Sequence, residues 1–66
     1  MKNTIRVERA KLNISQTDLA EAVQVSKQTI HSIETGRFVP STLIALKIAR
    51  HFKVPLESIF ELEEGD

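Results

Sequence analysis

A chain of 66 residues with no cysteine, two glycines, two prolines and nine basic against nine acidic side chains has room for one small domain and excludes a disulfide framework, a zinc knuckle and a thiol nucleophile. At 41% hydrophobic and 27% charged residues it reads as ordinary soluble globular protein. Its longest apolar stretch, Thr42–Leu46, is closed by Lys47, and Met1–Arg6 lacks the apolar run of a signal peptide, so neither a membrane span nor a secretory leader is expected and the expected compartment is cytoplasmic.

The formal charge of zero hides an uneven distribution. Residues 57–66 hold Glu57, Glu61, Glu63, Glu64 and Asp66 with no Lys or Arg, while residues 1–56 hold all nine basic residues against Glu8, Asp18, Glu21 and Glu34. A body at plus five therefore precedes an end at minus five. A chain this short buries only roughly 60% of the surface its unfolded form exposes, which leaves little space for a catalytic cavity.

The first predicted helix runs from Asn3 or Thr4 to Leu12. Ile5 and Leu12 share one face, with Glu8 and Arg9 between them where a core-facing helix usually carries apolar residues. Ser15-Gln16-Thr17-Asp18 places a hydroxyl three residues before a carboxylate, close to a capping box, and starts a second helix that turns Leu19, Ala20 and Val23 to one side. Ser26 repeats the cap for a third helix with Ile30 and Ile33 on its apolar face, and Gly36 supplies the left-handed residue that ends it. Pro40-Ser41 opens a fourth, in which Leu43, Leu46, Ala49 and Phe52, flanked by Ala45 and Ile48, form a wide apolar stripe expected in the core. Pro55 is placed in the first turn of a very short fifth helix carrying Leu56, Ile59 and Phe60. Phe60-Glu61-Leu62-Glu63 alternates as a strand does, with an extended Lys2–Thr4 as its available partner. Five short helices without βαβ alternation predict an all-α fold, with a short two-stranded sheet formed by the two ends. The second and third helices have the proportions of a helix-turn-helix.

The run from Ser15-Gln16-Thr17-Asp18-Leu19-Ala20 through Val25-Ser26-Lys27-Gln28-Thr29-Ile30 to Ile33-Glu34-Thr35-Gly36 closely resembles the helix-turn-helix of the Cro and phage-repressor (Xre) family. Pro40-Ser41, Ala45-Leu46-Lys47-Ile48-Ala49 and Pro55-Leu56-Glu57-Ser58-Ile59-Phe60 match the same family, so the resemblance spans about residues 5–60. It implies a lambda-repressor-like DNA-binding domain. Physical logic agrees at several positions: Ala20 is small where two helices cross, Val25 and Ile30 lock one helix on the other, and Ser26 caps the helix whose start approaches phosphates and base edges.

What the resemblance implies, residue by residue, is base contact by Lys27, Gln28 and Ser32. Thr29 and His31 share that outer surface. By chemistry Lys27 favours guanine O6/N7, Gln28 pairs with adenine N6/N7, and Thr29 meets a thymine methyl. Gln16, Ser26 and Arg37 take the phosphate-contacting places, and Arg9 and Glu34 resemble a family salt bridge between the first helix and the end of the third. Glu8 stands where many relatives are apolar, which implies either a rotated first helix or a basic partner such as Arg50 or Lys53. Asn13, Gln24 and Lys53 stand where relatives commonly carry glycine, so left-handed backbone is expected at residues that tolerate it less well.

The competing readings are blander. Lys27, Gln28 and Ser32 also suit a solvated polar face, and His31 and His51 have no Cys or second His at metal-ligand spacing. Ser15 and Ser26 are caps without a spaced base, so a nucleophile role is not expected. No metal, cofactor, small-molecule ligand or enzymatic activity is predicted. The expected function is sequence-specific binding of double-stranded DNA by a transcriptional regulator, more in the manner of a repressor, acting as a homodimer on an inverted repeat. Residues 1–66 form the single domain and residues 54–66 its dimerisation end, through Leu56, Ile59, Phe60 and Leu62. The alternatives are an antitoxin-like regulator that also binds a partner protein, and an interaction module without DNA binding.

Overall fold

The computed structural model of the chain describes residues 1–66. Its elements are β1 (Lys2–Asn3), α1 (Ile5–Leu12), α2 (Gln16–Val23), α3 (Lys27–Glu34), α4 (Thr42–Phe52), α5 (Leu56–Ile59) and β2 (Phe60–Glu61). All five expected helices are present, and the two ends pair as an antiparallel sheet with Lys2 opposite Glu61 and Asn3 opposite Phe60. The second strand is shorter than the alternation over 60–63 predicts. Beyond it the chain folds back: the Glu63 N–H donates to Asp66 Oδ2 at 2.7 Å, and both carboxylates reach the Met1 amine, at 3.1 and 3.2 Å. No helix is long and apolar enough to cross a membrane.

The helix starts follow from their caps. Ser15 Oγ accepts from the Asp18 N–H at 3.0 Å while Asp18 Oδ2 accepts from the Ser15 N–H at 2.9 Å, a reciprocal capping box. Ser26 and Ser41 accept from Thr29 and Ile44 N–H groups, at 3.1 and 3.2 Å. Pro55 stands one residue earlier than expected, at the N-cap rather than in the first turn of α5.

The helix ends share one device. Asn13, Gln24, Gly36 and Lys53 adopt φ of 54°, 63°, 78° and 58°. At each, the following residue's N–H returns to a carbonyl five residues earlier: Ile14 to Arg9, Val25 to Ala20, Arg37 to Ser32 and Val54 to Ala49. This is the Schellman arrangement, and Ile14, Val25 and Val54 complete it by packing against the core. Three of the four ends thus hold a side chain in the left-handed region that glycine occupies without steric cost. Lys53 is exposed and makes no hydrogen bond or ion pair through its side chain. Lys53→Gly is therefore expected to stabilise the fold by about 1 kcal/mol, seen in thermal denaturation as a rise of about 4–8 °C.

The core gathers Ile5, Leu19, Ala20, Val23, Ile30, Ile33, Ile48, Ala49, Phe52 and Ile59. Several expectations are corrected by it. Leu43 and Leu46 are exposed, 62% and 51%, and Ala45, Ile48, Ala49 and Phe52 form the inward face of α4. A row at i+3 spacing slips round the helix by about 60° per step, so Leu43 and Phe52 lie on opposite sides. Leu12 is 52% exposed, because α1 presses its first turn, with Ile5, into the core and its last turn runs past it. Glu8 takes neither Arg50 nor Lys53 and pairs within its own helix with Lys11, at 3.0 Å. Ile59, expected at a dimer face, is 2% exposed and belongs to the interior of a single chain.

Candidate nucleic-acid interface

Three residues, Gln24, Val25 and Ser26, join α2 to α3. The left-handed Gln24 reverses the chain, Val25 plugs the corner, and Ser26 begins the next helix. Lys47 of α4 donates to Gln24 Oε1 at 3.1 Å and ties the corner from outside. Ile30 and Ile33, 0% and 1% exposed, anchor α3 from beneath. At its far end the Asn3 amide donates to the Ile33 carbonyl at 2.9 Å, so the short sheet also holds α3 in place.

With its inner face held this way, α3 presents Lys27 and Gln28 to solvent in its first turn, where the helix dipole and unpaired N–H groups favour negative ligands. Neither side chain makes a hydrogen bond or ion pair within the protein. Thr29 is half-buried, and its hydroxyl lies 2.9 Å from Ser26 Oγ, so the cap and the threonine engage each other. Gln28, Thr29, Ser32 and Phe38 line one shallow hollow on the side of α3 that faces the following loop. Arg37, in that loop, is exposed, and its guanidinium is free of internal partners.

A second hollow, lined only by polar side chains, opens on the other flank of α3: Arg6 and Arg9 from α1, Gln16 from α2, and His31, Glu34 and Thr35 from the end of α3. Arg9 and Glu34 form its floor. Arg9 Nε donates to Glu34 Oε2 at 2.6 Å, Nη2 to Oε1 at 3.1 Å, and Nη1 to the Ile14 carbonyl at 3.1 Å. Gln16 Nε2 donates to Glu34 Oε1 at 3.2 Å and lies 3.3 Å from His31 Nδ1, which suits an amide donating to an unprotonated ring nitrogen. Burial pushes the Glu34 carboxyl up, but the hydrogen bonds from Arg9 and Gln16 and the arginine charges outweigh it and hold the group below the ordinary carboxylate range. The Glu34 hydrogen bond in turn raises Arg9 and keeps it charged.

The expected site residues thus divide. Gln28, Thr29 and Ser32 come together on one flank, Gln16 and His31 on the other, and Lys27, Ser26 and Arg37 stand at the start of α3 and in the loop beyond it. Phe38, 47% exposed, and Arg6 were missed by sequence reasoning. Arg6 had a signal, because it precedes Arg9 by three positions and so shares its side of α1. Phe38 had only its place after Gly36 and Arg37.

Two short helices locked at a three-residue corner, the second with an exposed polar ridge, define a helix-turn-helix protein. Residues 5–59 match the helix-turn-helix family, and the chain belongs to it, in its Xre/Cro-like form. Among its relatives, the uncharacterized HTH-type transcriptional regulator YgzD of Bacillus subtilis is 47% identical over 64 residues, 97% of each chain. A counterpart of the same description in Methanocaldococcus jannaschii is 46% identical over 66 residues, the whole of both chains. Another, in Archaeoglobus fulgidus, is 42% identical over 66 residues, covering all of this chain and 93% of the relative.

Proposed function

We propose that the chain is a sequence-specific, double-stranded-DNA-binding transcriptional regulator, a repressor that binds an inverted-repeat operator as a homodimer. The observation that carries this reading is the state of α3: a capped start, Lys27 and Gln28 free of internal partners, and a hollow on each flank, one lined only by polar side chains and the other by Gln28, Thr29 and Ser32 with Phe38. A helix of this form enters the major groove with its N-terminal residues at base edges. Lys27, Gln28, Thr29, His31 and Ser32 read bases, and Gln16, Ser26 and Arg37 meet phosphates. Two of the terminal carboxylates, Glu63 and Asp66, are engaged by the Met1 amine, which offsets part of the negative charge of the acidic end.

The homodimer draws support from a mainly apolar hollow on Met1, Val39, Pro40, Thr42, Ala45, Leu56 and Phe60, and from Leu62, two residues beyond Phe60, which is 76% exposed. Residues 54–66 are its dimerisation end, through Leu56, Phe60 and Leu62 without Ile59. Recognition helices of a dimer then lie about one DNA turn apart, roughly 34 Å. A second reading, a regulator that also engages a partner protein, is favoured by exposed Leu43 and Leu46 beside Lys47 and Arg50 on α4.

In vitro selection from a random DNA pool tests the main reading and is expected to return a palindromic consensus. Lys27→Ala and Gln28→Ala are each expected to relax preference at one base position per half-site, by about 1–3 kcal/mol. Arg37→Ala is expected to weaken all sequences alike. Uniform losses from all three variants would remove Lys27 and Gln28 as readers.

A further inference from the structure

The hollow between α1, α2 and α3 holds two arginines against one carboxylate, Arg6 and Arg9 against Glu34. Arg9 spends its Nε and both Nη groups on Glu34 and the Ile14 carbonyl, and Glu34 has both oxygens engaged by Arg9 and one of them also by Gln16. These two charges cancel at contact distance. Arg6 lines the same hollow, is exposed, and makes no hydrogen bond or ion pair. The hollow has no apolar lining residue, and Gln16 and His31 complete its rim.

We propose that Arg6 binds a backbone phosphate of the DNA duplex that α3 enters, at the groove wall opposite Arg37; the proposal rests on the DNA-binding reading above. A major groove about 12 Å wide is bounded by two phosphate backbones, one on each side of an inserted helix. On the loop side of α3, Arg37 is a free cation beside Phe38. On the α1 side the residues expected from the motif supply only the neutral Gln16, and Arg9 is neutralised by Glu34. Arg6 is the remaining cation of that hollow, and a guanidinium is the group whose planar donors match phosphate oxygens.

The test uses the full chain, a duplex recovered by in vitro selection, and a random-sequence duplex of equal length, with affinities measured across a series of KCl concentrations. Arg6→Gln is expected to weaken both duplexes alike, on the order of tenfold in dilute salt, and to make the slope of log K against log salt shallower by about 0.9 per bound chain. Arg6→Lys is expected to restore the slope, and thermal denaturation of both variants to match the parent. If the parent binds with a steep salt slope and Arg6→Gln leaves that slope unchanged, the proposal falls and the DNA-binding reading stands; a parent that binds neither duplex overturns both. In a parallel titration, inorganic phosphate at constant ionic strength is followed by the Arg6 Nε resonance. A saturable shift there, with an unchanged DNA slope, assigns the hollow to free phosphate and overturns the proposal.

Discussion

Arg9→Ala is expected to lower the free energy of unfolding by about 3–5 kcal/mol, measured by urea denaturation. The arginine and Glu34 side chains are 15% and 6% exposed, so truncation leaves a carboxylate inside the protein with Gln16 as its remaining hydrogen-bond partner. The loss is large for a chain this short, whose whole stability is of order 0.05–0.15 kcal/mol per residue. Replacing both partners by apolar residues, Arg9→Met with Glu34→Leu, is expected to recover most of it, because the desolvation cost goes with the charges. The pair is on this account a device that fixes α1 against the end of α3 and carries Gln16 with it.

The same pair sets an acid dependence with a definite sign. Glu34 is held below its ordinary range in the folded chain, so its ionisation contributes stability that is complete above the unfolded value of about 4.3 and is lost as pH falls through the lower folded value. Glu34→Gln is expected to flatten that part of the profile. In Arg9→Ala the hydrogen bond and charge of Arg9 no longer hold the carboxyl down, so the variant is expected to lose less stability than the parent as the pH falls through the same region. A denaturation series between neutral and acid pH on the three proteins reads both effects.

Ile59→Ala is expected to cost about 2–5 kcal/mol, the range for deleting a buried aliphatic side chain. The loss is expected to be the same at low and high protein concentration. Ile59 is 2% exposed within one chain, and its carbonyl accepts from the Thr4 N–H at 2.9 Å, where the sheet begins. Leu62→Ser is the counterpart: Leu62 is 76% exposed, so the substitution is expected to leave the monomer's stability unchanged and to shift the sedimentation equilibrium toward monomer. A loss in Ile59→Ala that changes with protein concentration, or an unchanged sedimentation equilibrium in Leu62→Ser, would reverse these assignments.

These residues also show where sequence reasoning stops. Ser15 with Asp18, Ser26, Ser41 and the left-handed Gly36 were legible because each is decided by hydrogen bonds within three to five residues of chain, whereas the left-handed Asn13, Gln24 and Lys53 were legible only through the glycines that relatives carry there. The Arg9–Glu34 contact, between residues 25 apart, was legible only through the family resemblance. Leu43 and Leu46 were misplaced because α4 is apolar on two sides, and composition alone does not say which side meets the core. Glu8 finds its partner one turn away on its own helix, a local solution that its place among core-facing positions does not signal.

By itself, then, the sequence determined the order of the helices, their starts and ends, the helix-turn-helix corner and the solvent-facing chemistry at the head of α3. Only the tertiary structure decided that Ile59 closes the core, that α4 turns Leu43 and Leu46 outward, and that Arg6, Gln16 and His31 share one hollow. The physical reason is range. Caps and turns are settled within a single helical turn, whereas burial and shared surfaces depend on how separate helices are set against one another, which no local spacing encodes.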